Sequence, residues 1–141
     1  MFKTILLAID LAHESSWAKA APVAAELADK FGADLHVMTV APRIRGGMVA
    51  QHFPRDFEQK AADASAKELG QLTAKLFPGR KVADHVTTGR VYRSIVDFAA
   101  KIGADLIVMA SHRPELGDAL IGPNADHVLR NTDASVIIVR E

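Results

Sequence analysis

The chain has 141 residues, with 17 Lys and Arg against 17 Asp and Glu, 49% hydrophobic residues and no Cys, the balance of one globular domain spanning 1–141. The absence of Cys excludes thiolate catalysis, cysteine zinc sites and iron–sulfur clusters, and suits a cytoplasmic chain. A formal charge of zero argues against nucleic-acid binding, and the apolar start Ile5 to Ile9, stopped by Asp10, is far short of the ~20 residues of a membrane span.

Thr4 to Ile9 reads as a strand covered on both faces, because its apolar run does not alternate with polar residues. Glu14 to Phe31 reads as a helix with Trp17, Ala21, Ala24, Leu27 and Phe31 on one face and Gly32 as its C-cap. Pro22 lacks an N–H, so the helix either bends there or begins nearer position 20. Leu35 to Val40 is a second strand. After the connection from Ala41 to Arg55, which carries Arg43, Arg45 and Gly46-Gly47 and reads as a basic flap, Asp56 to Phe77 is a second helix. Its inward positions are Phe57, Ala61, Ala64, Leu69, Leu72 and Leu76. Val82 to Thr87 is a third strand, Val91 to Ile102 a third helix, Leu106 to Ala110 a fourth strand, Pro123 to Arg130 a short helix and Ser135 to Arg140 a fifth strand. The stretch from Gly32 to Met38 echoes that from Gly103 to Met109, and both read as a helix C-cap leading into a buried strand.

This alternation predicts an α/β fold: a single Rossmann-like domain with a five-stranded parallel sheet and helices on both faces. Ligands of such sheets lie outside the carboxyl ends of the strands, which directs attention to the loops after Ile9, Val40, Thr88 and Ala110. Familiar motifs are absent there. No G-x-G-x-x-G follows a strand, Gly117 and Gly122 have P-loop spacing without its Lys and Ser/Thr, and His13-Glu14 lacks the second His of a zinc helix. The six histidines are scattered and read as surface or packing residues. No base, nucleophile and metal set comes together, so the chain is read as a non-enzyme without a catalytic residue or a metal ligand.

The informative stretch joins the fourth strand to the following helix, from Met109-Ala110-Ser111-His112-Arg113-Pro114 to Gly122-Pro123-Asn124. A strand end leading into a helix start offers backbone N–H groups and a positive dipole end to an anion. Together with Ile9-Asp10 after the first strand and the terminal Val-Ile-Ile-Val-Arg, this order of elements resembles the universal stress proteins across essentially the whole chain. The resemblance implies a regulatory protein of the stress response, a homodimer, and in many members ATP at the carboxyl edge of the sheet.

Nucleotide-binding members carry G-x-x-G, nine residues, then G-[S/T]. By this resemblance the first glycine falls on Ala110, the second on Arg113, the third on Gly122 and the Ser/Thr on Pro123, with an interval of eight residues from Pro114 to Ile121. Asp10 falls on the acidic position near adenine or ribose, Ala8 and Val40 on positions that line the base, and Ser111 inside the loop. Arg113 forfeits a glycine's freedom but offers a guanidinium to phosphate. Pro123 is comfortable at a first helical position, yet it removes one N–H that a phosphate would receive and a hydroxyl that would bond phosphate or assist Mg²⁺.

The expected cofactor is therefore ATP, with Mg²⁺, in an adenosine pocket whose phosphate cradle is weakened. Asp10 as a turn cap, Gly122 as a plain turn and Ser111 to Arg113 as a solvated loop are the alternatives for single residues. For the whole chain the alternative is a homodimeric interaction protein with a degenerate, non-binding pocket. The apolar strand 135–140 is the expected dimer contact, because an edge strand invites pairing with a second chain.

Overall fold

The computed structural model describes residues 1–41, 54–111 and 122–140. Five strands, β1 (Thr4–Ala8), β2 (Asp34–Ala41), β3 (Val82–Thr88), β4 (Leu106–Ala110) and β5 (Ser135–Val139), form one parallel sheet in the order β3-β2-β1-β4-β5. Four helices connect them: α1 (Ala20–Phe31), α2 (Phe57–Leu76), α3 (Val91–Ile102) and α4 (Pro123–Asn131). The α/β class, the sheet and the chain order of its elements agree with the sequence reading. Gly32 (φ 61°) and Gly103 (φ 68°) both adopt the left-handed conformation that ends a helix, so the two echoed stretches are the αβ junctions expected of them.

The alternation of side chains along each strand sorts the core into two layers. Ile5, Leu7, Leu35, Val37, Leu106 and Val108 pack with Ala20, Ala21, Ala24 and Ala28 of α1 and Leu69 of α2. On the opposite face Leu6, Ala8, Met38, Ile107 and Met109 pack with Ile95 and Ala99 of α3 and Ala125 and Val128 of α4. Both faces of the three central strands are thus covered, which is why their sequences run apolar without alternation.

Of the two expectations for the first helix, the later start is the one found. A separate 3-10 turn covers Glu14–Ser16, and α1 begins at Ala20, so Pro22 sits in the first turn, where its missing N–H has no intrahelical partner. The buried stripe of α1 consists of four alanines, while Trp17, Leu27 and Phe31 are only partly buried. Small side chains let this helix approach the sheet closely. In α2 burial begins at Leu69, and Ala64, an expected inward position, is exposed. The last strand ends at Val139, so Arg140 lies outside it.

One interaction was not foreshadowed. On the α3 side of the sheet His36 Nδ1 lies 3.0 Å from His85 Nε2, and the His85 ring rests against Phe98, with centroids 4.5 Å apart. Burial, and then the neighbouring His36, lower the His85 pKa below its ordinary value. A histidine with a lowered folded-state pKa binds fewer protons folded than unfolded. Its contribution to stability is full above the unfolded pKa of about 6.5 and is lost as pH falls from there through the folded value. Thermal denaturation should therefore show Tm falling more steeply between pH 7.5 and 5.5 in the native chain than in His85→Gln. Parallel curves would remove this pair from the pH response.

Candidate functional site

The site arises from the way neighbouring strands part. β1 pairs with β4 as far as Ala8 and Met109. Beyond that register Ile9 N–H donates to Met38 O of β2 at 3.0 Å, whereas Ser111 N–H donates to Val139 O of β5 at 2.9 Å. The two central strands thus follow opposite neighbours, and a crevice opens between them at the point where the strand order reverses.

Among the described residues this crevice is a cleft of about 250 Å³. Ala8, Met38, Val40, Met109 and Ala110 from strand ends form its apolar floor, with Val91 and Ile95 of α3 on one wall. Asp10, His13 and Ser16 rim it after β1, and Gly122, Pro123 and Asn124 bring the start of α4 to its edge. That volume is just below the ~300–1,000 Å³ common for drug-sized ligands.

The helix start is anion-ready in part. Gly122 is the N-cap, with φ −66° and ψ 161°, a conformation open to any residue, and no side chain caps the helix. Gly122 O accepts the first intrahelical bond from Asp126 N–H at 3.1 Å. Pro123 occupies the first helical position and brings no N–H, so the amides of Asn124 and Ala125 are what the first turn offers to an anion.

Asp10 already has partners. Its Oδ1 accepts the Ala12 N–H at 2.9 Å, its Oδ2 lies 2.9 Å from His13 Nδ1, and its N–H donates to Ser16 Oγ at 2.8 Å. The capping role and the place on the cleft rim are therefore combined in one residue. The carboxylate is well exposed and retains free lone-pair directions for a hydroxyl donor.

Of the residues that sequence reasoning placed in the site, Ala8, Asp10, Val40, Ala110, Gly122, Pro123 and Asn124 line the cleft. Ser111 differs. It is fully buried, its N–H is committed to β5, it is not on the cleft wall, and its Oγ has no hydrogen-bond partner among the described residues. It is a core position at the end of β4 instead of part of an open loop. Arg113, like Arg43 and Arg45, lies outside the described residues. Sequence reasoning missed Val91, Ile95, His13 and Ser16. His13 and Ser16 had a local signal, since both fall in the turn right after Asp10.

The chain matches the family model described as the universal stress protein family over residues 1–140. Universal stress protein A homolog 1 of Coxiella burnetii is 31% identical over 143 residues, covering 98% of this chain and 96% of that protein. Among solved structures, a universal stress protein in complex with cAMP superposes with a TM-score of 0.67 at 22% identity, covering 99% of this chain and 97% of that one. A universal stress protein family protein from Arabidopsis thaliana with AMP bound gives 0.63 at 11% identity, covering 99% and 92%.

Proposed function

Because the chain belongs to the universal stress protein family, we propose that it is a small cytoplasmic regulator of the stress response, without catalytic activity, that binds an adenine nucleotide at the carboxyl edge of its sheet. The observation that carries this reading is the cleft where β1 and β4 part, with an apolar floor, a carboxylate on the rim and a helix start at the edge. The cAMP and AMP complexes named for two proteins of like fold support it.

In this reading the base lies on Ala8, Met38 and Val40, the ribose hydroxyls donate to the Asp10 carboxylate, and the first phosphate meets the amides of Asn124 and Ala125 and the Asn124 side chain. ATP is the proposed form, with Mg²⁺ carried on its phosphates. Calorimetric titration of the folded protein with MgATP, and separately with AMP, should give saturable binding at or below millimolar concentration. Heats no larger than dilution for both nucleotides would overturn the proposal.

The second reading, an interaction protein with a non-binding pocket, is favoured by Pro123 at the first helical position and by the prior engagement of Asp10 with Ala12 and His13. Both readings share a homodimer built on β5. That strand pairs only with β4 among the described residues, and Val136, Ile137, Ile138 and Val139 are all partly exposed. Ser135 N–H and Val139 O bond toward β4, so by alternation Val136 and Ile138 direct their backbone groups to the open edge. Ile138→Pro, which deletes one outward N–H and spares the β4 ladder, should halve the mass seen by light scattering while the far-ultraviolet circular dichroism is retained. An unchanged dimer mass would place the contact elsewhere.

A further inference from the structure

The turn that follows β1 is built around one hydroxyl. Ser16 Oγ accepts the Asp10 N–H at 2.8 Å, and its own proton is shared between Asp10 O at 2.9 Å and His13 O at 2.8 Å. The backbone adds its own closure, His13 N–H donating to Asp10 O and Ser16 N–H to His13 O, each at 3.0 Å. Asp10 and His13 are thereby held at a set spacing on the rim of the cleft, which both residues line together with Ser16.

His13 stands at a position that suits other residue types. It is the N-cap of the 3-10 turn Glu14–Ser16, where Ser, Thr, Asp or Asn would be favoured, and its side chain makes no capping bond to that turn. The ring reaches back to Asp10 instead, with Nδ1 2.9 Å from Oδ2. An ionised carboxylate only accepts, so the shared proton is carried by Nδ1. The two side chains are 58% and 61% exposed, and a bond so open to water adds little to the stability of the fold. Its effect falls on the carboxylate. The Ala12 N–H holds Oδ1 at 2.9 Å, and that bond alone leaves the group able to swing about one oxygen. A second bond, on Oδ2, fixes its plane.

We propose that His13 is a positioning residue for ligand recognition: it fixes the plane of the Asp10 carboxylate so that both oxygens meet the two adjacent hydroxyls of a ribose. This rests on the nucleotide reading above and names the group that the rim selects, a free cis-diol. A carboxylate offers about four acceptor directions, of which Ala12 and His13 take one on each oxygen and leave one on each for a pair of hydroxyl donors. The engagement of Asp10 by its own turn thus prepares the carboxylate for a ligand and does not block it. A side chain ordered in advance spares the cost of ordering it on binding, about two- to tenfold in affinity.

The test titrates the native chain, His13→Ala and His13→Asn with MgATP and with the 2′,3′-dideoxy form of ATP, which keeps the base and the phosphates and lacks both hydroxyls. His13→Ala should bind ATP about three- to fivefold more weakly than the native chain and bind the dideoxy form equally well. Its Tm should stay within about 3 °C of the native value, which separates this loss from loss of the fold. His13→Asn, whose side-chain N–H can stand where Nδ1–H stands, should restore ATP binding to within about twofold of the native chain.

A loss shared by both nucleotides, or a loss on neither, would overturn the positioning role and leave the nucleotide reading standing. So would a selective loss that His13→Asn does not restore, since the ring would then act on the ribose itself and not through Asp10. A native chain that binds the dideoxy form as tightly as ATP would overturn the cis-diol contact and the role of His13 with it, again without touching the nucleotide reading. A native chain that binds neither would overturn both.

Discussion

Pro123→Ser is expected to tighten MgATP binding by about tenfold while lowering the thermal stability of the free protein. The substitution restores one backbone N–H at the first position of α4 and adds a hydroxyl, both at the edge of the cleft. A hydrogen bond to a charged group contributes about 1.5–3 kcal/mol, so one well-made bond to phosphate accounts for a tenfold gain. Proline at a first helical position restricts the unfolded chain, and losing that restriction costs about 0.4–1 kcal/mol. Affinity and Tm should therefore move in opposite directions, as read by calorimetry and by thermal denaturation without ligand. An affinity unchanged by the substitution would mean that phosphate does not reach the start of α4, and would favour the interaction-protein reading.

The fold was readable because its physical causes are local. Runs such as Ile5 to Ile9 and Leu106 to Ala110 are apolar throughout, which only a strand covered on both faces tolerates, and Gly32 and Gly103 mark helix ends by a backbone conformation that other residues avoid. The errors have equally plain causes. On the inner face of α1, Ala21 and Ala24 are buried as expected, but Ala20 and Ala28 complete the stripe in place of the larger Trp17, Leu27 and Phe31, because close approach to the sheet selects small side chains over large ones. The start of α1 was ambiguous until Pro22 could be placed in a first turn.

The site divides in the same way. Ala8, Asp10, Val40 and Ala110 are strand-end residues: the rule that ligands collect at strand ends pointed to their loops, and the resemblance to the universal stress proteins named the residues themselves. Val91 and Ile95 reach the cleft only because α3 carries the chain from the β3 edge back to β4, beside β1. That crossover leaves no mark in their neighbouring residues. His36 and His85 are likewise brought together by the β2–β3 register, which pairs His85 with Met38 and sets His36 two residues earlier on the same face. Sequence parity can place two such residues on one face, whereas register is a property of the assembled sheet.

Leu6→Ala and Leu7→Ala should separate the role of the core in holding the fold from its role in shaping the cleft. Both side chains are fully buried, and truncating either is expected to cost about 3 kcal/mol, or about 10 °C in Tm. Adjacent in sequence, they point to opposite layers. Leu6 packs in the layer that holds Ala8, Met38, Ile95, Met109 and Ala125, all of which line the cleft. Leu7 packs in the α1 and α2 layer, which shares only Ile9 and Ala110 with the lining. A cavity beneath the floor lets its residues shift, so Leu6→Ala should weaken MgATP binding about fivefold, on the order of 1 kcal/mol, whereas Leu7→Ala leaves it near the native value. Measured well below both melting temperatures, equal effects on affinity would show that the nucleotide depends on global stability alone; a loss confined to Leu6→Ala would assign the shape of the site to the layer formed by α3 and α4.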